Sequence, residues 1–375
     1  MTTDPDPPIS PHARLALGIA LADVQYVFGA LMRPADTIGK ALFVQWGLMT
    51  SYEAQRHVAA ALGSEFSPVW DPDMAKSARM AGKFFDDRKR TIEDLADYFR
   101  RINSTNRGVF FAPHRRGPAF DFLRTDLGIL LHDGIPMTTS VSGLFATGVN
   151  PDEPFSYEAH GPRLSKLTEQ VGRTFASLGA TQRHSGPAPF DPSRFTWRDA
   201  DSASLSDAVF EGVFNSSMTL AMMTLQGAAR TANHLSRSEC CTQCAAAALK
   251  HRYVVAYQAL VSLRLLRPNT MLPASAQARI DAILDTPESA HMMTDEYRRL
   301  RNGWLHLGLT DVPHDDDEDA LSLERTVDHY TRGESIAEVA SVTDVALNAV
   351  ASALDEWCMS PKTASMPLSS ILQVP

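Results

Sequence analysis

Apolar side chains recur at three- and four-residue spacing along most of the chain, the period that gathers them on one face of an α-helix. This predicts helix from His12 to about Leu62, punctuated by Pro34 with Thr50-Ser51 as a second start. It also predicts a long helix from Pro72 to about Ile102, with the mixed charges of Lys83–Lys89 on a solvated face. The texture then changes. Val109-Phe110-Phe111 and Leu127–Leu131 are short apolar runs bounded by Gly108, Pro113, Gly117, Gly128 and Gly134, which suits short strands or buried loops. Between Gly134 and Ala200 only Arg163–Leu178 reads as helix, and Ser185–Pro192, with three prolines and a glycine, reads as a linker. Beyond residue 200 the helical pattern returns in Ser204–His234, Arg237–Leu266, Ala274–Leu284, Pro287–Leu307 and Glu334–Cys358.

The expected fold class is therefore mainly α. Residues 201–358 should form an antiparallel helical bundle, and residues 12–200 a mostly helical region with a few short strands or irregular segments, suited to a sensor or substrate-selecting role. Residues 1–11, with four prolines, are expected to be a flexible arm, and residues 359–375 a tail rich in Ser and Pro. At 375 residues, 44% hydrophobic and 21% charged, the chain excludes wholesale disorder and allows two or three domains. No uninterrupted apolar run approaches the length of a spanning helix, since Leu15–Leu21 soon meets Asp23. Three of the four cysteines are clustered, so there is no framework of spaced pairs. A cytoplasmic protein with reduced thiols and no membrane partner is expected.

Charge is unevenly placed. Residues 1–200 hold 22 basic and 22 acidic side chains, whereas residues 201–375 hold 13 and 22, so the net −9 lies wholly in the second part. Coating a duplex by phosphate neutralisation needs a basic surplus, which this chain lacks. A local phosphate site is still allowed.

The segment richest in chemistry is Thr286–Gly308. Thr286 suits an N-cap, Pro287 the first helical position, Glu288 the positive end of the helix dipole, and Gly308 a left-handed stop. Ala290, Met293, Tyr297, Leu300, Trp304 and Leu307 form one apolar stripe. Asn302 and His306 fall roughly opposite it, with Arg299 beside them and Arg298 and Arg301 on the flank. Gly303 costs about 1 kcal/mol against alanine in mid-helix, which hints at a close backbone approach or a kink.

Arg301-Asn302-Gly303-Trp304-Leu305-His306 resembles the R-N-x-x-x-H form of the HEPN domain signature. With 28 Arg, 8 Asn and 12 His in the chain, a shuffle gives about 0.02 strict matches but roughly 2.7 of the relaxed R-x(4–6)-H, so only the strict form is informative. The resemblance covers at most residues 200–358. It implies an all-helical, HEPN-like bundle and, as in many members, a metal-independent endoribonuclease of toxin–antitoxin, phage-defence or RNA-surveillance type, working as a homodimer that shares its cleft, with a protein regulator or antitoxin as a further partner.

Metal-free RNA cleavage needs a base for the 2′-hydroxyl, an acid for the leaving oxygen and a cation at the phosphate. His306 suits acid or base and Arg301 suits the phosphate. Asn302 can orient the imidazole or donate to a phosphate oxygen, and Arg298 and Arg299 suit substrate binding. No cofactor is expected. The competing class is a non-catalytic HEPN-like interaction module for a nucleotide, RNA or protein, in which the same residues serve helix caps and salt bridges.

Other features have two readings each. Cys240, Cys241 and Cys244, near His234 and His251, have partial zinc-ligand spacing but no second ligand pair, and equally suit a close helix contact. His114-Arg115-Arg116, with Arg107, Arg124 and the nearby phenylalanines, could face RNA or simply cover a core. Asp315–Asp319 reads as a solvated acidic loop.

Overall fold

The computed structural model describes residues 9–31, 37–63, 70–83, 91–111, 125–150, 157–180, 190–236, 244–269, 271–313 and 322–360. The protein is mainly helical. Its described elements run in the order α1 (Pro11–Leu31), α2 (Thr37–Leu62), α3 (Pro72–Lys83), α4 (Ile92–Phe111), β1 (Leu127–His132), β2 (Ile135–Thr139), α5 (Ser140–Ala146), α6 (Tyr157–Ser177) and β3 (Phe195–Ala200). They continue through α7 (Ser202–Ala208), α8 (Ser216–Ser236), α9 (Ala245–Leu266), α10 (Ala274–Leu284), α11 (Pro287–Met292), α12 (Asp295–His306), α13 (Leu323–Thr331) and α14 (Ile336–Cys358).

α8 and α9 lie at the centre. α14 packs on both, α1 packs on α9 and α2, and α4 packs on α8. Every described residue of α9 from Tyr253 to Leu263 is buried, which explains why its sequence is apolar on all sides. The three strands form an antiparallel sheet in the order β2-β1-β3, and β2 lies against α8. β1 is buried along its whole length, so Leu127–Leu131 carries no polar alternation, and its last residue, His132, is buried as well. One apolar cluster runs from Ala16 to Cys358, with a smaller one around Trp70, Met74 and Leu167. Near residue 200, where composition shifts, β3 passes into α7, and the core holds residues from both sides of that point. Asp126 ties the junction by accepting from Ser202 N at 2.6 Å and Ser202 Oγ at 2.7 Å. α1 and α14 contain stretches, Pro11–Ala30 and Ile336–Cys358, long and apolar enough to cross a bilayer. In this structure Val24, Val27, Leu347 and Val350 of those stretches are buried in the protein core.

Several predicted boundaries are corrected. Thr50-Ser51 lies inside α2, where Ser51 Oγ donates to Gly47 O at 2.6 Å, a back-bond that satisfies the hydroxyl in mid-helix. The predicted Pro72–Ile102 helix is two helices, the second opened by reciprocal bonds between Thr91 and Asp94. Val109–Phe111 belongs to the end of α4, not to a strand. The predicted Ser204–His234 helix is broken by a tight turn with Phe210 and Glu211 at positive φ, after which Asn215 caps α8.

Pro287–Leu307 is likewise two helices, separated at Met293-Thr294. The break shifts the phase of the stripe, so Met292 is buried and Ala290 is exposed. The left-handed stop is Leu307 at φ 49°, not Gly308. Gly303 has the close approach its position suggested: a Cβ there would sit 2.6 Å from the ring of Tyr330 on α13.

Candidate functional site

α12 starts with Asp295 and Glu296, whose charges suit its positive end, and buries Tyr297, Leu300, Trp304 and Leu305. Its C-terminal carbonyls need partners from outside the helix. α2 supplies them: His306 O accepts from His57 Nε2 at 2.7 Å and from Arg56 Nη2 at 2.9 Å. The cationic Arg56 thereby meets the negative end of the α12 dipole.

The side chain of His306 is 33% accessible and turns to the same face of α2, with Nδ1 3.3 Å from Glu53 Oε1. Glu53 and His57 are one helical turn apart on α2, so both reach the end of α12. Glu53 is almost buried and pairs with Arg56 at 2.8 Å, while Arg56 is 47% accessible. Burial pushes the Glu53 carboxyl up, but the hydrogen bond from His306 and the charge of Arg56 outweigh it and leave the group below its usual range. His57 is pulled below the ordinary histidine value, first by burial and then by Arg56, against the opposing pull of the His306 carbonyl and Glu53. A neutral His57 that gives its Nε2–H to His306 O leaves Nδ1 with a bare lone pair. Arg56 Nη2, 3.3 Å from His57 Nε2, is then a neighbouring donor that disfavours a second proton on that ring.

The residues of the motif separate. Arg301, expected on the flank beside His306 and facing outward, is only 6% exposed. It lies four residues after Tyr297 and three before Trp304, so it shares their side of the helix. Its Nη1 donates to Asn302 Oδ1 at 2.9 Å, and burial lowers its guanidinium pKa to about 10. Asn302 is exposed, one turn before His306. Arg298 and Arg299 form ion pairs with Asp295 and Glu296 at 3.0 and 3.8 Å, and Arg332 also meets Glu296 at 3.2 Å. At 1.5 Å per residue these two arginines are roughly 10–12 Å along the axis from His306, so they flank the cluster and do not join it. Glu53, Arg56 and His57 had no place in the sequence reading. Their only signal is E-x-x-R-H on a helix, which says nothing of the helix it will meet.

The remaining candidates divide as follows. Cys240, Cys241, His114, Arg115, Arg116, Arg124 and Asp315–Asp319 lie outside the described residues. Cys244 is half-buried at the start of α9. His251 is buried, with Nδ1 3.1 Å from Tyr26 OH and its ring 4.5 Å from that of Trp46, and burial drives its pKa to about 3. It is a neutral packing residue. His234 stacks on Phe190 at 4.4 Å. Arg107 pairs with Asp126 at 3.2 Å. Among the described residues no group of three or more His, Cys, Asp or Glu side chains is placed to hold a metal ion.

At the end of α12, then, two histidines, an exposed arginine and a carboxylate converge from two helices that are distant in sequence. Compared with family models, with curated proteins and with solved structures, the chain matches none.

Proposed function

We propose that the protein is a metal-independent endoribonuclease whose chemistry is carried by His57 and His306. The observation that supports this reading is that both histidines stand at the C-terminal end of α12, His57 Nε2 on the His306 carbonyl and His306 Nδ1 beside Glu53. In this scheme His57 Nδ1 removes the proton from the RNA 2′-hydroxyl, and the 2′-oxygen attacks the adjacent phosphorus. The bond from phosphorus to the 5′-oxygen breaks, and His306 Nε2 delivers the proton that the leaving oxygen needs. In this scheme His306 enters as the imidazolium: Nδ1–H donates to Glu53, and Nε2–H is the proton that is delivered. Arg56, the accessible cation of the cluster, takes the phosphate role that the motif alone suggested for Arg301. Asn302 and Arg299 extend the exposed face along α12. Because both histidines belong to one chain, the homodimer implied by the HEPN resemblance is not required for the chemistry.

The test is cleavage of total RNA by the purified full chain in excess chelator. The expected products carry 2′,3′-cyclic phosphate ends. The rate should fall as pH drops through the lowered His57 value, since protonation removes the base, so the acid limb is expected below the ordinary histidine pKa of about 6.5. An acid limb above that value, or products without cyclic ends, contradicts this assignment.

A second reading is supported by the burial of Arg301. A motif arginine turned into the core suits a HEPN-like bundle that binds a nucleotide, RNA or protein without cutting it. Intact RNA in the same assay, with RNA retained by the protein, favours this reading.

A further inference from the structure

The two outer strands of the sheet differ in what meets their backbone. α8 closes on β2: Gln226 Nε2 donates to Pro136 O at 3.0 Å, and a Cβ at Gly227 would sit 1.9 Å from Met137 O. β3 has no such cover. In an antiparallel ladder successive residues turn their N–H and C=O groups to opposite sides. Asp133 N donates to Arg194 O at 3.1 Å, in step with the pairing of Leu131 with Thr196 and Ile129 with Arg198, so Thr196, Arg198 and Ala200 are turned to β1. Phe195, Trp197 and Asp199 are turned outward. Arg198 Nη1 marks that side by donating to Trp197 O at 3.0 Å, a carbonyl that can accept a second bond. Among the described residues nothing accepts from Trp197 N–H or Asp199 N–H, and nothing donates to Phe195 O.

β3 carries neither a proline nor a bulge in its pairing with β1, two devices that blunt an open edge. Thr196 and Trp197, on opposite faces of the strand, are both exposed, Trp197 to 43%. The indole folds back across β1, where a Cβ at Gly128 would sit 2.2 Å from its Cζ2, and so leaves the edge itself open.

A second β3 laid antiparallel on this edge fits in one register, because the outward groups of both copies must face each other and like charges directly opposite are destabilising. Centring the pair on Thr196 sets Arg194 against Arg198 of the other copy. Centring it on Arg198 sets that residue against itself, and centring it on Asp199 sets two carboxylates face to face. Centring it on Trp197 avoids all three. Trp197 N–H then meets the Trp197 carbonyl of the second copy, Asp199 N–H meets its Phe195 carbonyl, and Arg198 stands opposite its Thr196. The basic start of each strand, at Arg194, also comes beside the acidic end of the other, at Asp199 and Asp201.

We propose that the protein pairs with a second copy of itself along β3, in the register centred on Trp197, so that the two three-stranded sheets join into one. A symmetric antiparallel pair uses up both edges, so association stops at the dimer. β3 lies outside residues 201–358, to which the HEPN resemblance is confined, and the contact does not depend on the RNA chemistry at His57 and His306.

The test is sedimentation velocity of the full chain without RNA, from about 5 µM to about 0.5 mM. The wild type should pass from monomer to dimer with Kd on the order of 10–100 µM, as suits a contact of one short strand. Thr196→Glu places a carboxylate opposite Arg198 of the other copy and should tighten the dimer about threefold or more, whereas Thr196→Lys should weaken it by a similar factor. Asp199→Pro removes an outward N–H that β1 does not use, so it should fold and stay monomeric. The proposal is overturned by a wild type that stays monomeric throughout, by a Thr196→Glu dimer no tighter than that of Thr196→Lys, or by wild-type dimerisation in a folded Asp199→Pro.

Discussion

Replacing His306 with alanine is expected to slow RNA cleavage by about 10² to 10⁴-fold, the range that a positioned acid or base contributes. The fold should survive, for a reason visible at the end of α12. The bonds from His57 and Arg56 are received by the backbone oxygen of His306, which alanine retains. Glu53 keeps its ion pair with Arg56. The variant should therefore keep its far-ultraviolet dichroism spectrum and melt only slightly lower, Glu53 having lost the hydrogen bond from His306, while losing the cyclic-phosphate products. Full cleavage by a folded His306→Ala protein would remove the imidazole from the mechanism. Loss of both cleavage and structure would instead make it a packing residue.

Gly227→Ala should be the most damaging single methyl addition among the glycines whose surroundings are described. A Cβ there would sit 1.9 Å from Met137 O and 2.9 Å from Met137 C. Both are backbone atoms of β2, which cannot rotate aside as a side chain could. Moving α8 away from β2 would also stretch the bond from Gln226 Nε2 to Pro136 O, 3.0 Å, and the contact from Arg230 to the His132 carbonyl. The expected cost is about 3 kcal/mol or more, at the upper end of overpacking penalties and a large share of an ordinary domain's stability. Urea unfolding should show a lower midpoint with little change in slope. Gly172→Ala on α6 is the control, because a Cβ there meets nothing within 4 Å; it should be neutral or stabilise by up to about 1 kcal/mol through helix propensity. Equal midpoints for the two variants would contradict the close contact of α8 and β2.

What could be read in the sequence depended on whether the signal was local. α10 spans the predicted Ala274–Leu284 because its apolar spacing and flanks are self-contained. The start of α11 was legible too: Thr286 accepts from Ser289 N at 3.2 Å, and Pro287 occupies the first turn. The break at Met293-Thr294 was not, since neither residue is glycine or proline and the apolar spacing continues across it. β1 announced itself as the apolar run Leu127–Leu131. β2 was hidden by Pro136, and β3 by its polar Thr196, Arg198 and Asp199. The burial of Arg301 was available from spacing alone, given its offsets from Tyr297 and Trp304. The pairing of α2 with α12 was not, because a tertiary contact across some 250 residues leaves no periodic trace in either helix.

The most direct test compares cleavage rates of a defined RNA by the wild-type chain, His57→Ala, His306→Ala and the double variant at one pH in chelator. If the two imidazoles act as one acid–base pair, each single variant is slowed by at least about 10²-fold, and the double variant is scarcely slower than the worse single, as for residues that work as a unit. Wild-type rate in a folded His57→Ala protein would contradict the pairing of α2 with α12 as the seat of the chemistry.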